Sequence, residues 1–93
     1  MSLFKVKRSF YLGSRDLVVL TGDVLRHPVQ PGMFIDLPRD LRGPGRVPIH
    51  SVEFVKFANN VDELAVTFLY HHLATAPLME LSAVEGHVLE VAG

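Results

Sequence analysis

Cysteine and tryptophan are both absent from this chain, and neither sign of charge dominates it. Without Cys there is no disulfide, no thiolate nucleophile and no thiol metal site, a composition that suits a reducing compartment. Nine Lys and Arg stand against ten Asp and Glu for a net charge of −1, so no global positive field draws the chain to phosphate. Any nucleic-acid contact has to come from a local patch. No apolar run approaches the roughly 20 residues that span a bilayer, and the N-terminus carries no signal-peptide core. The expectation is a cytoplasmic protein without a membrane partner.

Signatures of chemistry are missing as well. There is no G-x-x-x-x-G-K-[ST] motif, and Gly43-Pro44-Gly45 lacks the Lys to stand in for one, so this chain is expected to bind no nucleotide. Ser9, Ser14, Ser51 and Ser82 lack the G-x-S-x-G elbow of a nucleophile. The five His residues do not have ligand spacing. His71 and His72 are neighbours that point to opposite faces of a strand, and His50 and Glu53, three apart, also face apart. An acid/base pair of Glu53 with a His would need distant strands brought together. No catalytic residue, metal or cofactor is expected, and the reading is of a protein that is not an enzyme.

What is present is a dense apolar pattern. With 93 residues, 48% of them hydrophobic, the chain suits one domain over residues 1–93 with one core. Periodicity favours strands. Phe4, Val6, Arg8 and Phe10 alternate with Lys5, Lys7 and Ser9, the period of two of a half-exposed strand. Leu17 to Leu25 is β-branched-rich, and Gly22 in its middle predicts a bulge or sharp bend. His27-Pro28 ends that strand, and Pro31-Gly32 fits the centre of a type II turn leading to a strand over 33–37. Residues 38–46 carry loop chemistry. Val47 to Phe57 reads as one long strand with both faces mixed, as in a strand that bends and hands its buried side from one part of a barrel to another. Asn59-Asn60 marks a turn, residues 64–70 a central strand, and residues 87–91 a closing strand. Pro77, the apolar residues after it and Gly86 as a stop predict a short helix or 3₁₀ turn near 77–84. The fold class expected is all-β: a small six-stranded antiparallel Greek-key β-barrel.

Five pieces of the chain, in order, resemble the second domain of translational GTPases such as elongation factor Tu. Tyr11 to Val24, with its Thr21-Gly22, resembles that family's first long hairpin, and Val29 to Ile35 its next turn and strand. Ile49 to Glu53 is similar to a Val-x-x-Val-Glu strand, Asp62 to Leu69 follows the next strand in pattern, and Glu85 to Leu89 is similar to a closing Arg-Gly-x-Val-Leu. The resemblance covers roughly residues 10–91 and implies a translation-factor-like barrel without the GTPase domain. In the family this barrel helps hold the aminoacylated end of transfer RNA through a Glu, an Arg three residues on, and an Asn of the next strand. Glu53 matches the Glu and Lys56 stands at the Arg. The Asn position holds Glu63 or is displaced by a shorter loop, and Asp16 and Asp23 stand where relatives usually carry Arg.

The loop with Arg39, Arg42 and Arg46 is the best local candidate for phosphate, because bidentate guanidinium groups can clamp an RNA backbone. Lys5, Lys7 and Arg8 form a second basic strip. Candidate RNA-binding residues are therefore Arg39, Arg42, Arg46, Glu53 and Lys56. The function expected is a stand-alone, non-enzymatic binding module that docks a protein or a ribosomal or transfer RNA. The rival readings are a fragment or subunit of a translational GTPase whose nucleotide-binding domain is on another chain, and a small-ligand-binding barrel. Neutral charge, exposed strands and small size also allow a homodimer.

Overall fold

The computed structural model describes residues 2–26, 28–38, 45–56, 62–69 and 81–93. Among these residues there are seven strands: β1 (Ser2–Leu12), β2 (Leu17–Arg26), β3 (Phe34–Leu37), β4 (Gly45–Pro48), β5 (Ser51–Lys56), β6 (Asp62–Leu69) and β7 (Val88–Ala92). They form one antiparallel sheet in the order β4-β3-β7-β1-β2-β6-β5. The all-β expectation holds in this form: among the described residues, a seven-stranded sheet that no ladder closes, rather than six strands.

The seventh strand arises inside the segment expected to be one long strand. β4 pairs with β3, β5 pairs with β6, and only Ile49 and His50 separate them. In a flat sheet the two outer strands would lie about 29 Å apart, whereas the step from Pro48 to Ser51 reaches at most about 11 Å. The sheet must therefore curl until its two edges meet. Successive backbone groups make the junction: the Ile49 N–H donates to Met33 O at 2.8 Å, and the His50 N–H donates to Thr67 O at 2.8 Å. Neighbouring N–H groups in extended chain point to opposite sides, so two adjacent residues bond one toward β3 and the other to β6. The buried face changes here too. Val47 and Ile49 are in the core, and beyond the junction Val52 packs against it.

β1 and β2 form the longest hairpin, closed by a 3₁₀ turn over Gly13–Arg15 that ends on Asp16 in the left-handed region at φ 53°. Asp tolerates that region better than most side chains. Gly22 sits at the irregularity its sequence position predicts, but the extra residue lies across from it, in β1. Val6 pairs with Gly22 and Arg8 with Thr21, leaving Lys7 as the bulged residue. That insertion inverts the alternation of β1. Phe4 and Val6 point into the core, whereas Phe10, in phase with them in the sequence, pairs with Val19 and is 41% exposed. The reading of Phe4, Val6, Arg8 and Phe10 as one face is corrected accordingly.

The core collects Phe4, Val6, Val18, Leu20, Ile35, Leu37, Val47, Val66, Phe68, Val84, Leu89 and Val91, each no more than 1% exposed. Val29, just after the break at Pro28, also joins this cluster. Gln30 O accepts from the Met33 N–H at 3.2 Å with Gly32 at φ 90°, as the type II turn requires. A 3₁₀ turn over Leu81–Val84 carries Val84 into the core and stops at Gly86, φ 87°, while the start expected at Pro77 lies outside the described residues. Gly45 and Arg46 belong to β4 rather than to the loop expected over 38–46.

Candidate docking surface

Of the RNA-binding candidates, Arg46, Glu53 and Lys56 are among the described residues, Arg46 on β4 and the other two on β5. Arg39 and Arg42 lie outside the described residues. Arg46 is exposed on β4, its guanidinium carbon 5.7 Å from the centre of the Phe34 ring, at the cation–π limit. It pairs in register with Asp36 and shares a hollow of ≈ 200 Å³ with Asp36 and Glu90. Two carboxylates thus flank this Arg. Glu53 and Lys56 lie three apart on β5 and so on opposite faces. Glu53 accepts from the Ser51 hydroxyl at 3.0 Å, and Lys56 pairs in register with Asp62.

The second basic strip is largely compensated. Lys7 Nζ lies 3.1 Å from Asp23 Oδ2, and Arg8 Nη1 donates to Glu63 Oε2 at 2.8 Å. Glu63 is 6% exposed, and its other oxygen accepts from the Thr21 hydroxyl at 2.8 Å. A buried carboxylate with charge-assisted and neutral donors on its two oxygens is a structural fixture of β2, β6 and β1. Asp23 and Glu63, read against the family as departures, here serve as the partners of Lys7 and Arg8.

The feature that sequence reasoning missed is apolar. Beyond the main core, Leu17, Val19 and Ala65 are buried on the other face of the sheet, where β2 and β6 pair Leu17 with Leu69, Val19 with Thr67 and Thr21 with Ala65. An antiparallel sheet with one solvated face usually alternates apolar and polar residues. This one is apolar on both faces along β2. A hollow of ≈ 190 Å³ opens over Leu17, Val19, Ala65 and Thr67, with Leu12 and Arg15 from the hairpin on one side and Glu53, Phe54 and Val55 from β5 on the other. Leu12 is 41% and Phe54 79% exposed. An apolar cavity of about 150 Å³ holds a benzene ring, so this hollow has room for one bulky side chain.

Phe54 is also on the rim of a second hollow, of ≈ 320 Å³, with Gly22, Asp23, Val24, Asp62, Glu63 and Leu64. Its sequence surroundings conceal it, because Glu53 and Lys56 give the strand a solvated look. The available signal was that a large aromatic occupied a segment whose two faces were both mixed. Among the described residues no three His, Asp or Glu side chains converge, and no helix is long and apolar enough to cross a membrane. No known family, curated protein or solved structure matches the chain.

Proposed function

We propose that the chain is a non-enzymatic binding module of the translation-factor barrel type, a single antiparallel Greek-key β-barrel domain that docks a protein partner in the cytoplasm. One observation carries the docking role: Leu12 stands exposed on the rim of a hollow whose floor, Leu17, Val19 and Ala65, is apolar and outside the main core. Burying such side chains against a partner is worth roughly 25 cal/mol per Å². Arg15 and Glu53 add one charge of each sign at the rim, suited to orienting a partner.

Support for the barrel type comes from where the resembling pieces fall. The Thr21-Gly22 hairpin is β1 and β2, Ile49 to Glu53 runs through the junction into β5, Asp62 to Leu69 is β6, and Glu85 to Leu89 leads into β7. The curled order, with its edges meeting at Ile49-His50, is the arrangement a barrel needs. A protein is favoured over RNA because Arg46 is flanked by Asp36 and Glu90, Lys7 and Arg8 are paired, and Glu53 would repel phosphate.

A photo-crosslinking residue placed at Arg15, on the rim of the hollow, followed by mass spectrometry of the adducts, tests this reading. The expected outcome is a defined protein adduct that Leu12→Glu abolishes and that a triple Arg39→Ala, Arg42→Ala, Arg46→Ala variant retains. Salt-dependent capture of RNA, lost in the triple variant, would replace the protein by RNA.

A further inference from the structure

We infer that the free side of β5 is a pairing edge for a second copy of this chain, joined antiparallel about a two-fold axis that passes beside Phe54. The inference goes beyond the docking role of the hollow and does not require it. Among the described residues β5 is the last strand of the sheet, laddered to β6 alone. An edge strand presents a row of backbone donors and acceptors to any strand that can match it. β5 is also the strand with the least buried side chains, each of its six residues being half-buried or exposed. At its centre stands the most exposed large hydrophobic residue of the described chain, Phe54.

Symmetry limits the register. A two-fold axis perpendicular to the sheet keeps each residue on its own face, so only residues of equal parity can stand opposite one another. Centring the pair on Phe54 sets it against the second copy's Phe54, Glu53 against Val55, and Lys56 against Val52. No like charges are directly opposed in that register, and the two aromatic rings come within cross-strand reach. The two Glu53 carboxylates are then diagonal neighbours at about 7–8 Å, a modest repulsion. A net charge of −1 puts little long-range repulsion between copies. The hollow of ≈ 320 Å³ on the β6 side of each Phe54 leaves room for that ring to lean away from its counterpart.

The chain has no Cys, so Phe54→Cys introduces its only thiol. If the copies pair as inferred, mild oxidation converts that variant to a covalent dimer, because residues opposed across a strand pair meet disulfide geometry. Leu25→Cys, 52% exposed on β2, stays monomeric under the same treatment. Sedimentation equilibrium of the unmodified chain gives a mass approaching twice 10.3 kDa that returns to the single-chain value in Phe54→Lys. Leu12→Glu, which disables the hollow, leaves the pairing intact. Circular dichroism checks that the Phe54 variants keep the strand spectrum, a mild demand given that ring's exposure. A single-chain mass at about 1 mM, where even weak association shows, would overturn the inference. So would a dimer that survives Phe54→Lys, or equal crosslinking of the two Cys variants.

Discussion

Gly22 and Gly32 illustrate two different reasons for a glycine, and the substitutions that distinguish them. At Gly22 an added Cβ would fall 1.8 Å from the Lys5 carbonyl oxygen, so the constraint is space between the backbones of β1 and β2. At Gly32 nothing lies within 4 Å and the constraint is the φ of 90°. Gly22→Val is expected to cost about 3 kcal/mol or more through forced separation of the strands. Gly32→Ala is expected to cost about 1–2 kcal/mol through the left-handed backbone alone. Urea denaturation of the two variants reads the difference, and a Gly22→Val as stable as the parent would refute the close approach. Carboxylates offer a second contrast. Glu63→Ala leaves the fully buried Thr21 hydroxyl without its acceptor and should cost about 2 kcal/mol. Asp23→Ala removes an ion pair whose side chains are 53% and 44% exposed and should cost less than about 1 kcal/mol. The special role of Gly22 was legible in the sequence, because a Gly inside a β-branched run weakens the strand unless a bulge or a close backbone approach demands it. The burial of Glu63 was not, since its partners Thr21 and Arg8 are 42 and 55 positions away.

At the level of elements, the bulge at Lys7 and the junction at Ile49-His50 set the shape of the sheet. The sequence showed that the segment 47–57 changes its buried side, because neither parity was cleanly apolar. It did not show that the two halves pair with opposite edges, which is why one expected strand became two. In β1 the reverse occurred: a regular alternation concealed a bulge, since an inserted residue leaves the sequence period unchanged while inverting every side chain after it. On the side away from β2, the end of β1 is held by a side chain rather than a strand. Beyond the ladder with β7, which stops at Lys5, the backbone bonds to Gly86 and His87, and Glu85 accepts from both the N–H and the hydroxyl of Ser9 at 2.9 and 3.0 Å. Glu85→Ala should speed amide hydrogen exchange at Ser9 several-fold and leave the amides of Val18 and Leu20 unchanged. The junction has its own test in His50→Pro. His50 is exposed, so the change removes chiefly the N–H that bonds Thr67 O, and it should destabilise the chain by about 3 kcal/mol. A neutral His50→Pro would mean that the edges meet without that bond.

For the whole molecule, the question is whether the curled sheet stands on its own or requires a second polypeptide to complete it. Its radius of gyration of 12.2 Å equals that of a compact domain of this length, about 12.3 Å, and its core gathers side chains from β1, β2, β3, β4, β6 and β7. The candidate site is legible only at this scale. Leu12, Val19 and Ala65 carry no motif and come from separate strands, so their convergence depends on the register of β1, β2 and β6. The Arg residues looked important in sequence because charge is visible there, whereas the Asp and Glu that flank or pair with Arg46, Lys7 and Arg8 are apparent only in the fold. Autonomy makes the final prediction. Expressed alone, the chain should unfold in urea in one cooperative step, with far-UV circular dichroism and exposure of hydrophobic surface changing together, and an m-value of about 1 kcal/mol/M. If a GTPase domain on another chain were needed to complete the core, the two probes would separate and the isolated chain would bind a hydrophobic dye before adding denaturant. The cooperative outcome is expected because twelve of the core side chains are at most 1% exposed within this chain alone, leaving the apolar floor of the hollow, rather than the core, for a partner to cover.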